Sequence, residues 1–76
     1  MSDFDVKAKQ AGRILMYVNE RGSINPKQAL NELGIMRLAA RINDMEKAGI
    51  KFEHKWVEDF NRFGEKVRYK EYSLVV

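Results

Sequence analysis

Residues 22–42 read GSINPKQALNELGIMRLAARI, and this stretch decides the fold because it contains the clearest helix boundaries in the chain. Asn25 followed by Pro26 predicts a helix start, since asparagine caps free backbone amides and proline fits the first helical position, where no N–H is needed. Gly34 predicts the end of this helix, because glycine readily adopts the left-handed conformation that closes a helix. The helix therefore spans about residues 26–33. Its predicted inward face consists of Ala29, Leu30 and Leu33.

The sequence on either side predicts two more helices and two strands. Upstream of Gly22, apolar residues recur at helical spacing. Their predicted buried stripe consists of Ala8, Ala11, Ile14, Leu15 and Val18. Downstream, a third helix begins at about Ile35 or Met36 and ends before Gly49, after which apolar and polar residues alternate as in strands. The predicted elements are helices at about 6–21, 26–33 and 36–48 and strands at about 50–58 and 66–74.

The two strands are predicted to form a hairpin, with residues 59–64 as its turn and Gly64 at the tip. The alternation slips between Tyr69 and Tyr72, which predicts a bulge or a change of face in the second strand. Three helices followed by a hairpin is the element order of a winged helix, a helix-turn-helix core with a hairpin wing. The expected fold is mainly α with a C-terminal β-hairpin (α+β), as a single domain over residues 1–76.

The composition of the chain excludes several classes of protein. Its 76 residues, 45% hydrophobic and 33% charged, allow one small core with a charged surface. Without cysteine the chain forms no disulfide and no thiolate zinc site. No apolar run is long enough to cross a membrane and the first residues are acidic, so we expect a cytoplasmic protein without membrane contact. A net charge of +3 is only mildly basic and says little by itself about nucleic acid.

The predicted third helix carries the strongest candidate binding surface. Helical spacing places Leu38, Ile42 and Met45 on the inward side with Ile35. The opposite side is predicted to hold Arg37, Ala40, Arg41, Asp44 and Lys47, with Asn43 at its edge. Because Ala40 is small, this side could enter a DNA major groove and bring both arginines to phosphate or guanine. The alternative is an ordinary solvated face, on which Arg41 pairs with Asp44 or Lys47 with Asn43.

Two further segments offer DNA contacts. Around the predicted turn the candidates are Asn61, Arg62, Lys66 and Arg68, which could follow the backbone or enter a minor groove. At the start of the second helix, Lys27 and Gln28 adjoin free amides that could hold a phosphate. In both places the alternative is polar surface without a binding role. Of Phe60 and Phe63, one is predicted to fold back on Trp56 or Tyr69, whereas an exposed one would mark a dimer or partner surface.

The same residues resemble a known family. The motifs Gly22–Leu30, Gly34–Ile42, Asn61–Gly64, Val67–Tyr69 and Tyr72–Leu74 are similar to those of small, phage-associated winged helix-turn-helix domains. The resemblance covers nearly the whole chain, from Lys9 to Leu74. It implies a winged helix that binds double-stranded DNA, a phage or prophage origin, and a role as a transcriptional regulator or accessory factor.

The sequence offers little that an enzyme would need. His54 is the only histidine and lies on a predicted strand beside aromatic residues, where it reads as a packing residue. We therefore expect no catalysis, metal, cofactor or small-molecule substrate. The predicted partner is double-stranded DNA, bound by a monomer or a homodimer. Two alternatives stay open: a protein-interaction module on the same scaffold, and an RNA or single-strand binder that uses Trp56, Tyr69 and Tyr72.

Overall fold

The computed structural model describes residues 3–75, with side chains described from Val6 onward. Met1, Ser2 and Val76, which belong to the predicted domain, lie outside the described residues. Three helices are followed by an antiparallel hairpin. The elements are α1 (Asp3–Arg21), α2 (Pro26–Leu33), α3 (Leu38–Lys47), β1 (Phe52–Phe60) and β2 (Lys66–Leu74). This order confirms the predicted α+β winged helix.

The boundaries of α2 are set by local capping interactions, and the residues that make them can be recognised in the sequence. The Asn25 Oδ1 accepts a hydrogen bond from the Gln28 backbone N–H at 2.8 Å, and the Gln28 Oε1 accepts one from the Asn25 N–H at 3.1 Å. This reciprocal capping box is followed by Pro26 in the first turn. At the other end, Gly34 has a φ of 68° and its N–H donates to the Leu30 carbonyl at 3.2 Å. Both predicted boundaries are confirmed.

The core joins side chains from all five elements and from the loops between the helices. Its largest fully buried side chains are Ile14 on α1, Ile24 in the link to α2, Ile35 in the turn to α3, and Ile42 on α3. The buried residues around them are Tyr17, Val18, Ala29, Leu38, Met45, Phe52 and Tyr72. Burial of one such aliphatic side chain contributes about 1.5–3 kcal/mol, so the helices and the hairpin stabilise one another through this shared core.

Two residues predicted to face inward do not. Leu30 is 50% exposed, and Ala8 is exposed beside an open groove between α1 and α3. Leu30 lies roughly 100° around the helix from the buried Ala29, whereas Leu33 lies only about 40° away, so the short α2 covers the core with Ala29 and Leu33 alone. Tyr17, which the predicted stripe omits, is buried instead.

The hairpin strands pair in unbroken antiparallel register, from Phe52 opposite Leu74 to Phe60 opposite Lys66. The first strand starts and ends about two residues later than predicted, so the turn consists of residues 61–65. No extra residue interrupts the paired stretch. Of the two predicted alternatives, a bulge or a change of face, the bulge is therefore wrong.

The apolar residues of β2 nevertheless change face along the strand. Near the turn, Val67 and Tyr69 lie on the face that borders the start of α2. Near the base, Tyr72 and Leu74 lie on the other face and pack against the core. The hairpin thus rests on different neighbours at its two ends, and this shifts the alternation without a bulge.

The base of the hairpin is attached on two sides. Ile24 and Tyr72 exchange two backbone hydrogen bonds of 2.8 Å each, which places β2 between β1 and the α1–α2 link. On the other side, His54 Nε2 lies 2.9 Å from Glu46 Oε2 of α3. The His54 ring also contacts Tyr72 edge to face, with centroids 5.0 Å apart. These contacts fix the wing relative to the helices.

Replacing Asn25 with alanine should lower the free energy of unfolding by about 1 kcal/mol, because the Gln28 amide loses its acceptor. Urea denaturation followed by circular dichroism measures this change. Asn25→Ser keeps a capping oxygen and serves as the matched control, with a much smaller loss. An alanine variant as stable as the wild type would contradict the capping role.

Burial raises the pKa of the Tyr72 hydroxyl, and the nearby Glu46 carboxylate adds to the rise. The neutral phenol therefore stabilises the fold fully below about pH 10, and this contribution is lost as the pH rises through the higher folded-state pKa. We expect Tyr72→Phe to lose less stability than the wild type between about pH 9 and pH 11. Urea denaturation at both pH values tests this, and equal losses in the two proteins would count against it.

Candidate nucleic-acid interface

The helix α3 has a buried side and an open side. The buried side consists of Leu38, Ile42 and Met45, as predicted. The open side presents the exposed residues Ala39, Asn43 and Lys47, with the half-buried Ala40 among them. Because these side chains are small, polar or flexible, another molecule can approach the helix backbone closely there.

Arg37 lies at the start of α3 rather than inside the helix. It is the N-cap residue, with φ −117° and ψ 61°, and its side chain makes no capping hydrogen bond. The amides of the first helical turn have no acceptors within the helix, and no acidic residue occupies that turn. Arg37 is also exposed, so its guanidinium group adds to the positive charge at this end of the helix.

Arg41 does not project outward, contrary to the prediction. Its side chain is only 14% exposed, and its Nη2 lies 3.2 Å from Asp44 Oδ2. Arg41 precedes Met45 by four residues, so it lies on the flank of α3 that meets α1 at a shallow groove. Its Nε is buried without a hydrogen-bond partner. Arg41 and Asp44 are therefore engaged with each other beside α1, and Arg41 is not part of the open side.

The start of α2 offers one charge rather than a set of free amides. Lys27 is exposed and forms no ion pair with the described side chains of residues 6–75. Gln28 is half-buried, and its amide oxygen is taken up by the capping box with Asn25. The predicted use of free amides to hold a phosphate is therefore weakened, because the chain's own side chains satisfy the cap. Lys27 remains a candidate for a phosphate contact, whereas the amide oxygen of Gln28 is engaged in the cap.

Two open grooves meet at the start of α2. One, of 310 Å³, lies between the starts of α2 and α3 and is bordered by Pro26 and Arg37. The other, of 370 Å³, lies between the start of α2 and the outer half of the hairpin and is bordered by Pro26, Lys27 and Arg68. Because Pro26 borders both, the two grooves adjoin at the start of α2, and together they make one candidate surface. We call it the α3–α2–wing surface.

The wing turn is organised by Asn61. Its Oδ1 accepts hydrogen bonds from the backbone N–H groups of Phe63 and Glu65, both at 3.0 Å, and its Nδ2 donates to the Glu65 carboxylate at 3.2 Å. The Gly64 N–H donates to the Asn61 carbonyl at 3.0 Å, with Gly64 at a φ of 77°. The predicted DNA contact by Asn61 does not fit this arrangement, because its amide is occupied in building the turn.

Two basic residues of the wing share one carboxylate. Lys66 Nζ lies 3.0 Å from Glu58 Oε2, and Arg68 Nε lies 4.0 Å from Glu58 Oε1. The Arg68 guanidinium also lies over the Trp56 ring, 4.7 Å from its centroid. All these side chains stay at least half exposed, so both cations can still meet a phosphate, with part of their charge neutralised by Glu58.

The aromatic residues of the wing tip point into solvent. Phe60 is 67% exposed and Phe63 is 73% exposed. The prediction that one of them folds back on Trp56 or Tyr69 is therefore wrong. The Arg62 guanidinium lies over the Phe63 ring, 5.1 Å from its centroid, and forms no ion pair within the described residues.

Three residues that border the groove at α3 were not selected from the sequence: Pro26, Met36 and Ala39. Helical periodicity could have identified Ala39, because it precedes Asn43 by four residues and so shares its side of the helix. The exposure of Met36 depends on the path of the turn between α2 and α3, which helical periodicity does not describe.

The described residues hold no ready centre for metal chemistry. Within residues 6–75, whose side chains the structure describes, no group of three or more His, Asp or Glu side chains is placed to hold a metal ion. His54 is engaged with Glu46 and Tyr72 and connects the hairpin to α3. In the same part of the chain, no helix combines the length and the apolar character needed to span a bilayer.

A comparison with protein families agrees with this geometry. The model of a family described as a winged helix-turn-helix domain matches residues 9–76, which include most of α1 and all of the other elements. No curated protein and no solved structure matches the chain. The winged helix-turn-helix is a DNA-binding fold in general. The chain belongs to the winged helix-turn-helix domain family.

Proposed function

We propose that this protein binds double-stranded DNA, with the open side of α3 in the major groove and the wing against the backbone or in a minor groove. Membership of the winged helix-turn-helix family supports a DNA-binding role in general. The narrower role of a transcriptional regulator or accessory factor of a phage or prophage is supported by the resemblance of residues 22–42 and 61–74 to phage-associated domains.

The observation that carries the proposal is that the two grooves of the α3–α2–wing surface adjoin at Pro26. Arg37 and Lys27 border this surface at the starts of α3 and α2, and Arg68 borders it at the hairpin, with its guanidinium over Trp56 and beside Glu58. Duplex DNA presents rows of phosphates along both edges of each groove, and cations carried by separate elements can meet phosphates on different edges. Small residues on the open side of α3 then allow the helix to approach the base edges.

Arg37 is the first candidate for a specific contact. It is exposed and pairs with no carboxylate within the described residues. The first residues of the second helix of a helix-turn-helix are those that reach base edges. In this arrangement Ala40 and Asn43 follow along the same side, Asn43 suits an adenine edge, and Lys47 suits a phosphate.

Lys27 and the wing supply the contacts that position the protein. Lys27 adjoins the groove that leads from α2 to the hairpin, where helix-turn-helix proteins cross the DNA backbone. Arg68 and Lys66 lie on the hairpin and share Glu58, so each contributes less than a free cation. Arg62 contributes its full charge at the tip.

The competing hypothesis is a protein-interaction module, and the exposure of Phe60 and Phe63 favours it. It predicts concentration-dependent self-association, or a protein partner, without salt-dependent binding to any duplex. The single-strand hypothesis is less favoured by the geometry. Arg68 and Lys70 lie over the Trp56 ring at 4.7 and 5.3 Å, so a base that stacks on it must displace the protein's own cations.

Arg37→Ala should weaken duplex binding by about 1–3 kcal/mol if Arg37 reads a base. Lys27→Ala should weaken binding to all sequences and reduce the steepness of log K against log salt by about 1. Fluorescence anisotropy with a labelled duplex at several salt concentrations measures both effects. With about four phosphates neutralised, the wild-type slope of log K against log salt should be near −4.

Arg13→Ala is the matched control for these variants, because Arg13 is an exposed arginine of α1 that borders neither groove. It should leave affinity nearly unchanged. If the Arg37 and Lys27 variants bind as tightly as the wild type, the assigned surface is incorrect.

Arg41→Ala should affect folding more than DNA affinity. The variant loses the pair with Asp44 and the aliphatic stem that packs beside α1, and we expect it to lose about 1 kcal/mol of stability. Arg41→Met keeps the stem and should recover most of this loss. Urea denaturation and anisotropy on the folded variants separate the two effects. A greater loss of affinity for Arg41→Ala than for Arg37→Ala would restore Arg41 as a direct contact.

A further inference from the structure

The wing presents an exposed aromatic ring on a rigid turn. Phe63 is 73% exposed and lies in the middle of the turn at residues 61–65. Its own backbone N–H is bound by Asn61, whose main chain also pairs with Glu65 at 2.9 Å. A ring on such a preorganised tip loses little conformational entropy when another molecule encloses it.

The charges around this ring are nearly balanced. Glu58 holds Lys66 and Arg68, and the Glu65 carboxylate accepts a hydrogen bond from Asn61. Apart from Arg62, the cations of the tip are partly neutralised, so the tip gains less from lying along a row of phosphates than a tip of free cations would. An exposed aromatic ring, by contrast, gains free energy when it leaves water. The tip is therefore better suited to the inside of a groove than to its phosphate edge.

We propose that Phe63 is a wedge that enters the minor groove, partly opens the stack between two base pairs and bends the duplex. Apolar side chains that insert in this way kink DNA toward the major groove by about 20–90°. Arg62 accompanies the ring, since its guanidinium lies over it at 5.1 Å, and can meet base acceptors or the flanking phosphate. This inference rests on the proposed duplex binding and adds an activity to it, the bending of DNA.

The dimensions of the wing fit this role. Each hairpin strand has nine residues, which extend about 30 Å at roughly 3.3 Å per residue. A major groove and the adjoining minor groove are separated by about half of the 34 Å helical repeat. His54 and Glu46 fix the base of the hairpin to α3 at 2.9 Å. From His54 to Phe60 the strand extends about 20 Å beyond this anchor, which is enough to reach the neighbouring groove while α3 occupies its own.

Phe60 provides an internal comparison. Its ring is nearly as exposed, at 67%, but it lies on β1 opposite Lys66 rather than in the turn. It borders the groove toward α2 and so belongs to the proposed binding surface, where Phe60→Ala can lower affinity but removes no ring from the turn. Phe60→Ala therefore removes the same chemical group from the same wing without removing the wedge.

The bend is measured by energy transfer between dyes on the two ends of a duplex of about 30 base pairs with a flexible TA step at its centre. Saturating wild-type protein should raise the transfer efficiency. Phe63→Ala should leave it close to that of the free duplex, with an affinity within about tenfold of the wild type, because the lost ring contact is offset by the stacking that is no longer broken. Phe60→Ala should bend as the wild type does, and Phe63→Leu, which keeps an apolar wedge, should keep most of the bend.

A second measurement fixes the position of the wedge. A duplex with a one-nucleotide gap is already unstacked at a known step, so it should bind the wild type about tenfold more tightly than the intact duplex, since less stacking has to be broken. In Phe63→Ala the ratio of the affinity for the gapped duplex to the affinity for the intact duplex should fall to near one. Circular dichroism of the variants confirms that they are folded.

The outcomes separate the two proposals. The wedge is refuted while duplex binding stands if the wild type binds duplex without bending it. The same holds if Phe63→Ala bends the duplex and prefers the gapped duplex as the wild type does. If the wild type binds no duplex, both proposals fail. If Phe63→Ala instead dissociates a dimer in sedimentation analysis and leaves the bend unchanged, the ring belongs to an interface between copies and the wedge is refuted.

Discussion

Two backbone hydrogen bonds between Ile24 and Tyr72 join the hairpin to the helices, and the rest of the molecule depends on this junction. Both residues are also buried, so the same pair that orders the strands fills the centre of the core. In close-packed interiors a displaced residue disturbs its neighbours. The position of the wing beside α3, and hence the shape of the α3–α2–wing surface, therefore follows from how two short segments far apart in sequence meet.

Much of the fold could be predicted because its boundaries are set by local chemistry. Asn25, Pro26 and Gly34 act on the backbone next to them, so their effect on α2 is visible in the sequence. Leu30 could not be placed in the same way, since its exposure depends on how much of a short helix its neighbours cover. The prediction of a bulge in β2, as the alternative to a change of face, was wrong for a related reason. The alternation recorded a change of neighbours along the hairpin, and sequence alone does not distinguish this from an inserted residue.

The candidate site was predictable in outline but not in its pairings. Residue type and spacing identified Lys27 and Arg37 as exposed cations near the two helix starts. The same reasoning placed Arg41 outward, although its four-residue spacing from Met45 puts it beside α1. The sharing of Glu58 by Lys66 and Arg68 depends on cross-strand register, and the occupation of Asn61 depends on the closure of the turn. Such pairings follow from tertiary geometry rather than from periodicity.

Pro26 forms a wall of both grooves, and its place is set by the cap of α2. A ligand that presses on one groove therefore pushes against the same rigid helix end that shapes the other. The binding free energies of contacts made in the two grooves are therefore expected to be coupled through that helix end. Free-energy changes from paired substitutions across the two grooves would accordingly not sum as independent quantities, as is usual for groups that share a structural support.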